Sequence, residues 1–170
     1  RIAPLAGQTQ TKTVGTVDWT SSDLELGCEG GAAKDPQMVG LRFAGINLAK
    51  NKVIKKAYIE FEVDEPTAAD PCVLKIWSED NDNPSTFTNT NNALTSRPKS
   101  SDFITWTVPA GYLNVEDEKG NTPEITSLVH ANLNRAGWAK GNAMAFYITG
   151  TGRRVVESYD GEAPAAAALV

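Results

Sequence analysis

A chain of 170 residues with 41% hydrophobic and 22% charged residues has the size and composition of one globular domain, able to bury about 70% of the surface its unfolded form exposes. The net charge of −5 comes without a clustered basic stripe, which argues against nucleic acid as a partner, and no run approaches the roughly 18 to 20 apolar residues of a membrane span. The chain starts at Arg1 and carries no signal-peptide core, so the expectation is a processed, exported protein at the cell surface or outside the cell.

Residues 1–17 include Thr9-Gln10-Thr11-Lys12-Thr13-Val14-Gly15-Thr16-Val17, a Thr-rich, weakly charged stretch with β-favouring side chains but no large apolar anchor. They read as an extended N-terminal arm able to pair with a neighbouring subunit, ahead of a single domain over residues 18–170. Short apolar or alternating runs recur at 13–18, 39–43, 53–63, 73–77, 103–108, 143–149, 155–159 and 167–170. In the strongest, Ile59, Phe61 and Val63 alternate with Tyr58, Glu60 and Glu62, the signature of a half-buried strand. Turn-forming clusters separate the runs, among them Asp80-Asn81-Asp82-Asn83-Pro84. Gly150-Thr151-Gly152 reads as a tight hairpin rather than a phosphate cradle. Many short strands joined by turns predict an all-β fold, a two-sheet antiparallel β-sandwich.

One segment departs from this rhythm. Thr122-Pro123-Glu124 offers an N-cap, a proline at the first helical position and an acid in the first turn. Ile125, Leu128, Val129 and Leu133 then recur at helical spacing, and Gly137 supplies a stop. The spacing predicts one short capping helix near residues 123–135.

A series of segments carries a family resemblance: Ser21-Ser22-Asp23-Leu24-Glu25-Leu26-Gly27, Val39-Gly40-Leu41-Arg42-Phe43 and Ala57-Tyr58-Ile59-Glu60-Phe61, followed by Ser96-Arg97, Ile104-Thr105-Trp106, the helical stretch over residues 125–134, Gly137-Trp138 and Gly141-Asn142-Ala143. In this order they resemble bacterial extracellular jelly-roll domains of the DNRLRE type, related to carbohydrate-binding modules. The resemblance spans about residues 20 to 162 and implies a jelly-roll sandwich and an extracellular setting more than an activity.

No catalytic constellation stands out, and the chain is not expected to be an enzyme. The sole histidine, His130, lacks a second histidine for zinc, and Ser-His-Asp and Cys-His arrangements lack their parts. Asp23 and Glu25 share one face of a strand, and in a jelly roll the first and last strands lie together. That would bring them towards Glu157 and Asp160 in an oxygen-rich site suited to Ca²⁺. The structural alternative is a solvated rim of acids on a sheet edge. Asp80-Asn81-Asp82-Asn83 lacks the glycine and distal glutamate of an EF-hand loop, so a plain Asx-rich turn is favoured there.

Trp77, Trp106, Trp138 and Tyr112 are the rings available for a carbohydrate platform, against the alternative of core packing. Cys28 and Cys72 are expected to close a disulfide, worth at most roughly 4 kcal/mol on the chain-entropy model, with two buried free thiols as the alternative. The functional expectation is a secreted structural subunit that polymerises with copies of itself into a filament or surface layer by β-strand addition. The alternative is a Ca²⁺-dependent carbohydrate-binding module that meets polysaccharide.

Overall fold

The structure, a computed structural model, describes residues 4–10 and 15–170. Its order is β1 (Pro4–Gln10), β2 (Val17–Asp18), β3 (Asp23–Gly27), β4 (Val39–Phe43), β5 (Ile59–Glu62), β6 (Ala69–Ser78), β7 (Ile104–Val108), β8 (Lys119–Asn121), α1 (Thr126–Leu133), β9 (Met144–Glu157) and β10 (Ala168–Leu169). All named pairings are antiparallel. The main sheet runs β2-β1-β4-β9-β6-β7, with β3 also on β9, and the smaller sheet runs β10-β5-β8. The expected all-β sandwich with one short helix is present. No helix among the described residues is long and apolar enough to cross a membrane.

The core lies where alternating side chains of the two sheets meet. Ile59 and Phe61 of the small sheet, and Val63 just beyond it, are buried in one cluster with Leu41, Phe43, Ile76 and Phe146 of the large one. Burying each such side chain contributes roughly 1.5 to 3 kcal/mol, so the alternation seen in the sequence is the main stabilising feature of the layer pair. Phe43 and Phe146 meet with ring centroids 6.1 Å apart, and Phe61 stacks on Trp106 at 6.4 Å.

β9 is the backbone of the molecule and corrects the expected hairpin at Gly150-Thr151-Gly152. These residues lie inside one 14-residue strand that joins the runs at 143–149 and 155–159. The glycines permit close approach of β6: a Cβ on Gly150 would sit 2.1 Å from the Val73 carbonyl oxygen. One on Gly152, whose φ is +77°, would sit 2.3 Å from Cys72 Cα. The β6 register with β9 shifts between Ala69 and Val73, at this point of closest approach.

The expected strand over 53–63 shortens to β5 because the preceding backbone is claimed by the helix. The Ile54 N–H donates to His130 Nε2 at 2.8 Å and the Ala57 N–H to Thr126 Oγ1 at 2.9 Å. The helix itself starts later than its sequence signals. Thr122 Oγ1 accepts the Ile59 N–H at 3.0 Å instead of capping, and α1 begins at Thr126 behind Ile125, which makes no side-chain cap. Gly137 is not the helix stop, since α1 ends at Leu133. It allows Asp82 to lie where a Cβ would be 2.1 Å from its carboxylate.

Candidate functional site

Two features of the main sheet bear on function: the strand that covers the β4 edge, and an acidic cluster where β3 meets the end of β9. At the edge, β1 pairs with β4 through Pro4↔Phe43, Gly7↔Leu41 and Gln8↔Gly40, with a register shift between Pro4 and Gly7. It continues onto β2 through Thr9↔Asp18 and Gln10↔Val17. The opposite edge of β4 is fully paired to β9 from Val39↔Ile148 to Phe43↔Met144. In this single chain, therefore, β1 closes the β4 edge. Of the arm expected over residues 1–17, residues 1–3 and 11–14 lie outside the described residues.

The acidic cluster is built by register. Asp23 stands opposite Glu157 and Glu25 opposite Val155, while the isolated pairing of Val63 with Val156 carries Asp64 and Glu65 to the same place. The Asp64 N–H donates to the Val155 carbonyl at 3.2 Å. Carboxylate oxygens of Asp23, Asp64 and Glu65 all lie within 4.8 Å of one another. Burial first, and then the neighbouring acids, push the carboxyls of Asp23, Glu25, Asp64 and Glu157 up. Glu25 is raised to about 6, with Asp23 as its strongest charged neighbour. Glu157 is raised to about 7, with Asp64 and then Glu162 adding to burial. Asp23 and Asp64 shift upward, also led by burial.

Three oxygen donors at this spacing are the residues that could hold a hard cation such as Ca²⁺. Of the four acids read from the sequence, Asp23, Glu25 and Glu157 come together, whereas Asp160 lies exposed in the turn beyond β9. Asp64 and Glu65 were missed. The available signal was their position directly after the alternating run that ends at Val63.

The aromatic side chains do not assemble as one platform. Trp106 and Trp138 are core residues at 3% and 4% exposure, and the Trp138 Nε1–H donates to the Leu48 carbonyl at 3.0 Å. The Tyr112 hydroxyl accepts the Asn121 N–H at 2.5 Å and holds β8. Trp77 keeps a half-exposed ring, tilted against Phe103 at 5.5 Å.

The expected disulfide is absent: Cys28 and Cys72 are buried free thiols. They flank β9 on opposite sides at Gly152. The Cys28 N–H donates to the Gly152 carbonyl at 2.9 Å, and Cys72 Cα packs against the other face of that glycine. The Cys28 thiol points to the Gly150 carbonyl at 3.7 Å. Burial pushes the Cys72 thiol up to about 11, and Cys28 shifts in the same direction.

The Asp80–Asn83 loop is a turn, with the Asn83 N–H donating to Asn81 Oδ1 at 3.0 Å. Asp80 and Asp82 both pair with Arg135, at 2.7 Å for Asp82. Behind it, Glu79 is buried and accepts from Arg97 at 3.2 Å and from the Tyr147 hydroxyl, which ties the 80–98 loop over the outer face of the sheet.

No protein-family model matches the chain, and the comparison with curated proteins finds no match either.

Proposed function

We propose that the protein is an extracellular structural subunit whose copies join by β-strand addition, the N-terminal arm of one copy lying along the β4 edge of the next. The observation that carries this reading is the attachment of β1. It meets the rest of the sheet through β4 on one side and only the two-residue β2 on the other, while β4 itself is anchored in the sheet by β9. A strand near the sheet margin that pairs through backbone hydrogen bonds can be exchanged for its equivalent in another copy at little cost, since the same bonds form in either arrangement. Ca²⁺ at Asp23, Asp64 and Glu65 is the second part of the proposal: it would tie β3 to the turn after β5 and relieve the repulsion among these acids.

Deleting residues 1–12 tests the assembly. A folded monomer is expected by sedimentation velocity, and addition of a peptide covering residues 1–17 should restore a bound strand on β4. A truncated chain that assembles as the full-length chain does, or a full-length chain that stays monomeric at every concentration, would overturn the proposal.

A further inference from the structure

A pocket of about 280 Å³ opens at one end of the small sheet, between α1, the 46–57 segment, the start of β9 and β10. Its walls are Ile46, Leu48, Ile54, Val129, Met144 and Leu169, and Asn47 and Lys56 are the polar residues among the described ones that line it. Ile46, Val129 and Met144 are core residues, each at most 2% exposed, while Leu48 and Ile54 are half-buried. Backbone bonds hold these walls in place. The Ile54 and Ala57 N–H groups donate to His130 and Thr126 of α1, the Asn51 N–H donates to the Leu133 carbonyl at 3.1 Å, and Val170 exchanges both backbone bonds with Tyr58 at 3.0 Å. A concave apolar recess that is already formed has the character of a small-molecule site, and a volume just under the usual lower end of about 300 Å³ suits a small ligand.

Charge decides which small molecule fits. The segment that forms one wall is strongly positive: no Asp or Glu occurs from residue 36 to residue 59, whereas Lys50, Lys52, Lys55 and Lys56 fall within seven positions. The net charge of −5 hides this short basic run. Lys50 donates to the Ala136 carbonyl at 2.9 Å, a neutral partner that leaves its charge uncompensated. Lys52 and Lys55 are exposed and make no ion pair among the described residues. Lys56, which lines the pocket, has a side chain 61% exposed and meets Glu124 at 4.0 Å and the Tyr58 ring at 5.4 Å. An exposed ion pair of that length contributes little, so the ammonium is free to turn to another acid. A metal ion would be repelled by this wall, and an extended polyanion would leave the apolar recess empty. A single negative group on an alkyl body answers both features.

We propose that this pocket binds the anion of a straight-chain fatty acid, the alkyl chain lying among Ile46, Leu48, Val129 and Met144 and the carboxylate at the mouth beside Lys56. The site uses neither strand exchange nor the acidic cluster, so it is tested apart from both. The test titrates the ¹⁵N-labelled full chain with octanoate and with 1-octanol, which has the same chain length and no charge, and follows amide chemical shifts. Octanoate is expected to give saturable shifts confined to residues 46–57, 126–133, 144 and 168–170. Hexanoate should bind about tenfold more weakly, because two fewer methylenes leave water. Lys56→Glu, a change at an exposed side chain, should weaken octanoate about tenfold and leave 1-octanol unchanged. Ile54→Trp, on the half-buried wall, should fill the recess and abolish binding of both. Absence of saturable shifts with octanoate, shifts centred elsewhere, equal affinity for hexanoate and octanoate, or an octanoate affinity that Lys56→Glu leaves unchanged would overturn the proposal. Binding that appears with phosphatidylglycerol vesicles but not with octanoate would overturn it as well, in favour of a membrane surface. Should Ile54→Trp fail to fold, Lys56→Glu decides alone.

Discussion

Two charged positions three residues apart on β9 meet opposite fates. Arg154 is wholly buried, yet its guanidinium donates to the Tyr112, Arg153 and Pro109 carbonyls at 2.7, 2.7 and 3.1 Å and to Asp70 at 2.7 Å. Glu157, only half-buried, faces Asp64 and Asp23, and its carboxyl is raised to about 7. The first is a buried charge whose donors are nearly all used, so it fastens the 109–112 loop and the start of β6 to β9. The second is a group of like charges that only protons, water or a cation can relieve. Burial by itself does not separate a structural charge from a responsive one; the chemistry of the partners does.

The contrast is sharpest at Arg154. Replacing it with Met should lower stability by about 3 kcal/mol, because three carbonyls and the Asp70 carboxylate lose their donor together. Urea denaturation measures this directly, and a loss below about 1 kcal/mol would mean that those carbonyls find other partners.

At Glu157 the sign reverses. A folded-state carboxyl raised from 4.5 to about 7 binds its proton more tightly than the unfolded chain does, so stability falls as pH rises between those values and levels off above. Glu157→Gln should remove that slope and gain about 1 kcal/mol at pH 8, after allowance for solvent screening, with no gain at pH 4. On the cation reading, millimolar Ca²⁺ flattens the same slope in the wild-type chain and fails to do so in Asp64→Asn. An unchanged thermal-melt profile in both would exclude Ca²⁺ from this cluster.

The smallest expected effect concerns the thiols. Because both cysteines are buried and free, reducing agent should leave the melting temperature unchanged, and a thiol reagent should react with the native protein only as fast as it unfolds. A mass loss of two hydrogens under non-reducing conditions would contradict the free-thiol arrangement.

Much of the fold was legible in the residues themselves. The run Val39–Phe43 is a strand with the expected bounds, and the alternation from Ile59 onward places Ile59 and Phe61 in the core as its period of two requires. The acidic site was legible only in part. Asp23 and Glu25 share a strand face by spacing alone, but Asp64 and Glu65 reach them through a pairing between residues 93 positions apart (Val63 with Val156), which no local pattern encodes.

Local sequence thus determined element type, the apolar faces and the all-β class, because side-chain periodicity and turn chemistry act within a few residues. Tertiary structure alone decided the rest. It joined two runs into β9 because glycines at 150 and 152 let β6 approach too closely for any side chain. It moved the helix start because β5 claimed Thr122, kept the cysteines apart across Gly152, and gathered the acids by strand register. Each of these outcomes depends on which backbone donors and acceptors find one another across long separations, and that competition is settled only when the sheets form.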